Sequence, residues 1–155
     1  MYSGLLSVAA RRVVEFGTSF GISTIYLAAA LRDNGGGLVV GSEVEPTNVV
    51  KARANIVEAG LADLVEIREG DAQETLQYPG GVVDMVFLDG LKDLYLAIAK
   101  MLAPHLRKGA VLVADNIFTY KRSLAPYVGY MKDAANGFSS VTLYLKDGTE
   151  YSVRL

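Results

Sequence analysis

Apolar residues in this chain come in short, nearly unbroken runs, and between the runs they come at helical spacing. Val13 to Phe16, Leu38 to Ser42, Val65 to Arg68, Val82 to Leu88 and Ala110 to Ala114 read as strands. Runs of this length, rich in Val, Ile and Leu and without strict polar alternation, suit strands covered on both faces. The segments "ISTIYLAAALR", "PTNVVKARANIVEAG" and "LKDLYLAIAKMLAPHL" read as helices. Gly35-Gly36-Gly37 ends the first, Pro46 starts and Gly60 caps the second, and the third stops near Pro104. Alternating strands and helices imply a parallel sheet. The C-terminal "SVTLYLKDGTEYSVRL" changes to period two around Asp147-Gly148, a hairpin signal. The expectation is one α/β domain spanning residues 1–155, with no internal repeat, linker or low-complexity segment.

Composition removes several classes. The chain has 155 residues, 51% hydrophobic and 21% charged, which is a compact composition and not a disordered one. A net charge of -2 offers no basic field for nucleic acid or an anionic membrane surface. There is no cysteine, so disulfides, thiolate metal sites and a thiol nucleophile are excluded. No apolar run reaches the length of about 20 residues that spans a bilayer. In "MYSGLLSVAARR" the positive charges follow the apolar part, the reverse of a signal peptide, so a cytoplasmic protein is expected.

Chemistry gathers at the strand ends. "VVEFGTSFGIST" is strand, glycine turn and helix, with the pattern Glu15-x-Gly17-x-x-x-Gly21 in place of the G-x-G-x-x-G that cradles a pyrophosphate. Glu43 ends the second strand, where a carboxylate accepts both hydroxyls of a ribose. "EGDAQ" puts Asp71, Ala72 and Gln73 at the end of the third, within reach of an adenine. Each feature alone reads equally well as turn chemistry or a solvated carboxylate; three successive strand ends in chain order are a nucleotide-binding edge.

The fourth strand stops at Asp89 and the fifth at Asp115-Asn116. In a doubly wound sheet these strands are neighbours, so their oxygens converge. An all-oxygen set without His or Cys favours a hard cation, Mg²⁺ first, with Mn²⁺ or Ca²⁺ as alternatives. Lys92 lies one helical turn past Asp89, placed to act as a base, whereas Asp93 reads as solvated. His105, the one histidine, and the scattered tyrosines read as surface, rim and core residues.

"VVEFGTSFGIST", "SEVEP", "EGDAQ", "VDMVFLDGLKDLYL" and "LRKGAVLVADNI" together resemble the successive motifs of class I S-adenosylmethionine-dependent O-methyltransferases of the metal-dependent catechol O-methyltransferase type. The resemblance runs from Val13 to Ile117. It implies a Rossmann-like methyltransferase fold, a mostly parallel seven-stranded sheet in the order 3-2-1-4-5-7-6 with a C-terminal antiparallel hairpin. It implies S-adenosylmethionine as cofactor, with Gly17, Ser19 and Ser23 beside its methionine part, Glu43 on the ribose, and Ala72 and Gln73 on the adenine. The same edge takes in Glu15, Gly21, Val44, Asp71 and Asp89. Asp89, Asp115 and Asn116 match the metal ligands and Lys92 the base, for a small chelating acceptor of catechol or hydroxycinnamoyl type.

Three departures bear on the acceptor. Only Met1 to Arg12 precede the first strand, so the expectation is an open site, a site completed by a partner chain, as in a homodimer, or a shortened form of the protein. Gly90 and Leu91 stand where the catechol enzymes carry bulky rings against the cofactor. Gly129 falls where those enzymes place an acidic residue on the second hydroxyl. The rivals are a metal-independent methyltransferase of the same fold, a cofactor-binding module without turnover and, more distantly, a nicotinamide dehydrogenase.

Overall fold

A computed structural model describes residues 9–155. The charge order of "MYSGLLSVAARR" falls mostly on residues 1–8, outside the described residues. The strands are β1 (Arg12–Phe16), β2 (Leu38–Glu43), β3 (Val65–Glu69), β4 (Val83–Leu88), β5 (Leu106–Ala114), β6 (Phe138–Leu143) and β7 (Thr149–Arg154). They form one seven-stranded sheet in the order β3-β2-β1-β4-β5-β7-β6, as the motifs imply. β1 to β5 pair in parallel, while β7 runs antiparallel to both β5 and β6.

The helices are α1 (Ile22–Asp33), α2 (Pro46–Glu58), α3 (Ala72–Thr75), α4 (Tyr95–Leu102) and α5 (Lys121–Lys132). Alternate strand residues feed two cores. Val14, Val86 and Leu112 face Ile98 and Leu102 of α4 and Leu124 and Met131 of α5. Val13, Met85 and Val111 face Leu27 and Leu31 of α1 and Val49 and Ile56 of α2. Each such side chain contributes about 1.5–3 kcal/mol by leaving water. Helices lie on both sheet faces, which is why the strand sequences carry so few polar positions, while Phe87, Val111, Val113 and Tyr151 also line an apolar recess on the β4–β5–β7 side.

Boundaries follow local chemistry. Pro46 occupies the first turn of α2, where its missing N–H is unneeded. At the other end Gly60 is left-handed (φ 68°), its N–H donates to Val57 O and the Leu61 N–H to Ile56 O, a Schellman cap with Leu61 buried behind it. β5 starts four residues earlier than the apolar run suggests. Leu106 pairs with Val83, then the register shifts before Val111 pairs with Met85, so Arg107-Lys108-Gly109 bulges out of the strand. The hairpin is present, but residues 144–148 form its loop, and β6 begins at Phe138. No helix among the described residues is long and apolar enough to cross a membrane.

One carboxylate ties the lower edge together. Asp84 Oδ2 accepts the Arg11 and Arg12 backbone N–H groups at 2.7 and 2.8 Å, and Oδ1 accepts Arg107 Nε at 2.5 Å. Partial burial pushes its pKa up, but the Arg107 bond and the two backbone N–H groups outweigh this and hold it below 3.8. A lowered folded-state pKa contributes stability that is complete above the unfolded value and lost as pH falls through the folded one. Asp84→Asn is therefore expected to lower stability at neutral pH by about 1.5–3 kcal/mol. It should also flatten the acid limb of the melting temperature against pH, read by calorimetry between pH 2 and 7.

Candidate active site

The loop between β1 and α1 lies under the site. Gly17 has φ 97°, and a Cβ there would come within 2.6 Å of the Gly90 backbone, so the β1 and β4 ends meet main chain to main chain. Gly17 and Thr18 both donate N–H to Ser42 O, fastening the loop to β2. Gly21, at φ 83°, starts α1. Glu15 is fully buried beneath the loop and accepts from Ser23 Oγ at 2.6 Å, Thr24 Oγ1 at 2.5 Å and Thr18 Oγ1 at 3.1 Å. Burial pushes its carboxyl above the usual range, and the three hydroxyls pull against that. Glu15 therefore acts on the loop, through Ser23, from outside the cavity.

Glu43 ends β2 and is 9% exposed. Its Oε2 accepts the Ser19 N–H at 2.7 Å and its Oε1 the Glu45 N–H at 2.9 Å. Each oxygen keeps a second lone pair. Asp71 caps α3 by accepting the Gln73 N–H at 2.8 Å. These elements enclose a cavity of about 370 Å³, lined by the polar Ser19, Glu43, Asn48 and Asp71 and by the apolar Phe16, Ala72, Leu91 and Leu94. That size suits a small ligand. Gly17, Val44 and Asp89 also line it, while Ser23 opens on a neighbouring recess and Gln73 is exposed outside the lining. Phe16, Asn48 and Leu94 carry no sequence signal for a ligand and read as core or helix residues, whereas the resemblance alone puts Leu91 at a cofactor-facing position.

The other half of the site lies at the ends of β4 and β5. Leu88 pairs with Ala114, and the Asp115 N–H donates to Leu88 O, which sets Asp89 and Asp115 side by side. Asn116 holds a left-handed conformation (φ 65°), a strained one that Asn tolerates better than most residues. Lys92 Nζ donates to Asp89 Oδ1 at 3.0 Å and to the Tyr95 hydroxyl at 2.7 Å, and Asp93 is exposed. The same Nζ lies 5.0 Å from the Tyr95 ring centroid. It is thus bonded to the ring's oxygen rather than stacked on its face. Partial burial pushes the Asp89 pKa up, Lys92 pulls it down and Asp115 adds to the upward push; the net direction is up.

This donor set tests the case for a metal. Among the described residues no cluster of three or more His, Cys, Asp and Glu exists. A cation at the β4 and β5 ends would thus have two carboxylates and one amide oxygen. Adjacent carboxylates, Asp115 adding to the cost of ionising Asp89, with an amide oxygen as the third donor, suit a hard divalent ion.

The methyltransferase-domain family matches residues 14–117, and the chain belongs to it. A catechol O-methyltransferase of Mycobacterium tuberculosis is 41% identical over 112 residues, covering 72% of this chain and 50% of that protein. Caffeoyl-CoA O-methyltransferase 1 of Eucalyptus globulus is 29% identical, covering 81% and 55%. The solved structure of an O-methyltransferase from Bacillus cereus in complex with SAH superposes with a TM-score of 0.90 at 26% identity, covering 99% of this chain and 78% of that one. The chain spans about half the length of the curated relatives it matches.

Proposed function

We propose that the protein is an S-adenosylmethionine-dependent O-methyltransferase that uses a divalent cation and acts on a small chelating acceptor of catechol or hydroxycinnamoyl type. The observation that carries this reading is the juxtaposition at the cavity mouth: Lys92 Nζ held 3.0 Å from Asp89 Oδ1, with Asp115 alongside on the next strand. The named relatives support the methyl-transfer chemistry, and the SAH in the Bacillus cereus structure supports the cofactor.

S-adenosylmethionine supplies an electrophilic methyl group on a sulfonium. Glu43 is poised for the ribose hydroxyls, because both oxygens are already aimed by backbone N–H groups and each has a lone pair to spare. Ala72 and Asp71 border the base, and Ser19 and Ser23 the methionine end. Asp89, Asp115 and Asn116 would hold the cation, which supplies Lewis acidity to an acceptor oxygen. Lys92 carries three N–H positions when protonated, and Asp89 and Tyr95 take two of them. The third position is left for the acceptor hydroxyl, whose proton Lys92 takes as the general base. Gly17, pressed against Gly90, keeps the two loops at a fixed separation, and positioning of this kind supplies on the order of 7–11 kcal/mol of a barrier reduction.

Two measurements test the reading. Calorimetry should give micromolar binding of S-adenosylhomocysteine and none of NAD; the reverse would make the protein a dehydrogenase. Turnover on catechols and hydroxycinnamoyl esters should cease with a chelator and return with Mg²⁺. Rates indifferent to chelator would leave a metal-independent methyltransferase, and no turnover on any acceptor would leave a binding module.

A further inference from the structure

Asn116 keeps a backbone conformation that needs support from outside. At φ 65° it stands in a left-handed region that asparagine enters at a cost, and such a residue persists only where its surroundings fix it. On the strand side its N–H donates to Asp115 Oδ1 at 2.9 Å. On the far side the support comes from the β6–β7 loop. The Ile117 N–H donates to Gly148 O at 3.0 Å and the Phe118 N–H to Asp147 O at 2.8 Å, so two adjacent carbonyls hold the two residues that follow Asn116. Thr119 Oγ1 adds a bond to Asp147 Oδ1 at 3.2 Å.

The Phe118 ring closes the contact. It lies so near Gly148, itself at φ 80°, that a Cβ there would come within 2.6 Å of Cδ2 and 2.7 Å of Cγ. Tyr144, at the other end of the same loop, packs on the ring at a centroid distance of 5.1 Å. Ile117 is buried in the core shared with α4 and α5, which anchors the segment from below. We infer that the Asp147-Gly148 loop is a positioning element for the cation site: together with Phe118 it locks the Asn116 backbone and so fixes the place of the third oxygen donor. None of these residues belongs to the donor set itself; they act through Asn116. A donor held in place before the ion arrives loses less freedom on binding it, and groups behind a metal ligand tune affinity for that reason. The inference rests on the divalent-cation reading above and adds to it what holds Asn116.

The test measures Mn²⁺ binding by electron paramagnetic resonance, on protein with and without S-adenosylhomocysteine, whose own affinity is read by calorimetry. Gly148→Ala should weaken Mn²⁺ by about 10–100-fold, the usual cost of disturbing a group behind a metal ligand, while S-adenosylhomocysteine stays within about twofold. Phe118→Ala removes the ring without creating a clash and should weaken Mn²⁺ by about tenfold. Phe118→Tyr keeps the ring and should bind Mn²⁺ as wild type does. If Gly148→Ala fails to fold, the two Phe118 variants decide on the same criterion. Variants with a lowered melting temperature but Mn²⁺ affinity within about twofold of wild type would confine the loop to stability and overturn the inference. An equal loss of both ligands would overturn it too. Wild-type protein that takes up no Mn²⁺ in either form would instead overturn the cation reading, and this inference with it.

Discussion

Lys92→Ala is expected to lower kcat by about 10²–10⁴-fold, the usual contribution of a single general base, while S-adenosylhomocysteine affinity stays within about twofold. The split follows from geometry: Lys92 is anchored on Asp89 and Tyr95 and takes no part in lining the cavity. Lys92→Arg separates charge from proton transfer, because arginine keeps the charge beside Asp89 but does not give up its proton at any working pH. It should be as slow as the alanine variant. Full rate with arginine would remove the base and leave an electrostatic role only. Tyr95→Phe deletes one of the two anchors and is expected to cost about fivefold in kcat, the worth of one ordinary hydrogen bond. Steady-state kinetics on a chelating acceptor read all three.

The ends of β2 and β4 are legible in the sequence because the centre of a strand covered on both faces is mainly apolar, and charge returns where the strand reaches the edge of the sheet. Glu43 and Asp89 stand out for that reason, as abrupt charges after apolar runs. The same rule conceals α5. Pro126 lies inside that helix, its outer face is polar, and only Leu124, Tyr127 and Met131 at spacings of three and four are fully buried, too few to declare a period. The start of β5 is hidden likewise, since Arg107-Lys108-Gly109 has the composition of a turn and is in fact a bulge held by Asp84.

Residue roles are legible only as far as neighbours in sequence are neighbours in space. Spacing puts Gln73 beside Ala72 at the third strand end, but Asp71 caps α3 by taking the Gln73 N–H, and the Gln73 side chain is left exposed. Glu15 sits at the mouth of the glycine turn in sequence, whereas in space it lies under the turn, holding three hydroxyls. Gly90 reads as a lost bulky group when considered along β4 alone. Its meaning comes from Phe16 on the adjacent strand, a contact between residues far apart in the chain. Gly129, read as standing in an acidic position, lies on α5 with open space where a Cβ would stand.

Glu43→Ala is the substitution expected to cost most in cofactor binding. The carboxylate does two things at once: it holds Ser19 and Glu45 by their N–H groups, and it is proposed to accept the ribose hydroxyls. Hydrogen bonds to a charged group contribute about 1.5–3 kcal/mol each, so losing two to the ligand weakens S-adenosylhomocysteine by 10²-fold or more, on the order of 3–6 kcal/mol. Glu43→Gln tells the two roles apart. Its amide oxygen still accepts one N–H, but the NH₂ group faces the other and cannot accept from it. The loop should therefore loosen on one side, and affinity should fall by about tenfold, between wild type and alanine. Isothermal calorimetry reads the affinities and thermal unfolding the loop. An alanine variant with lowered melting temperature but unchanged affinity would confine Glu43 to holding the loop and place the ribose elsewhere along the Ser19 to Asn48 edge.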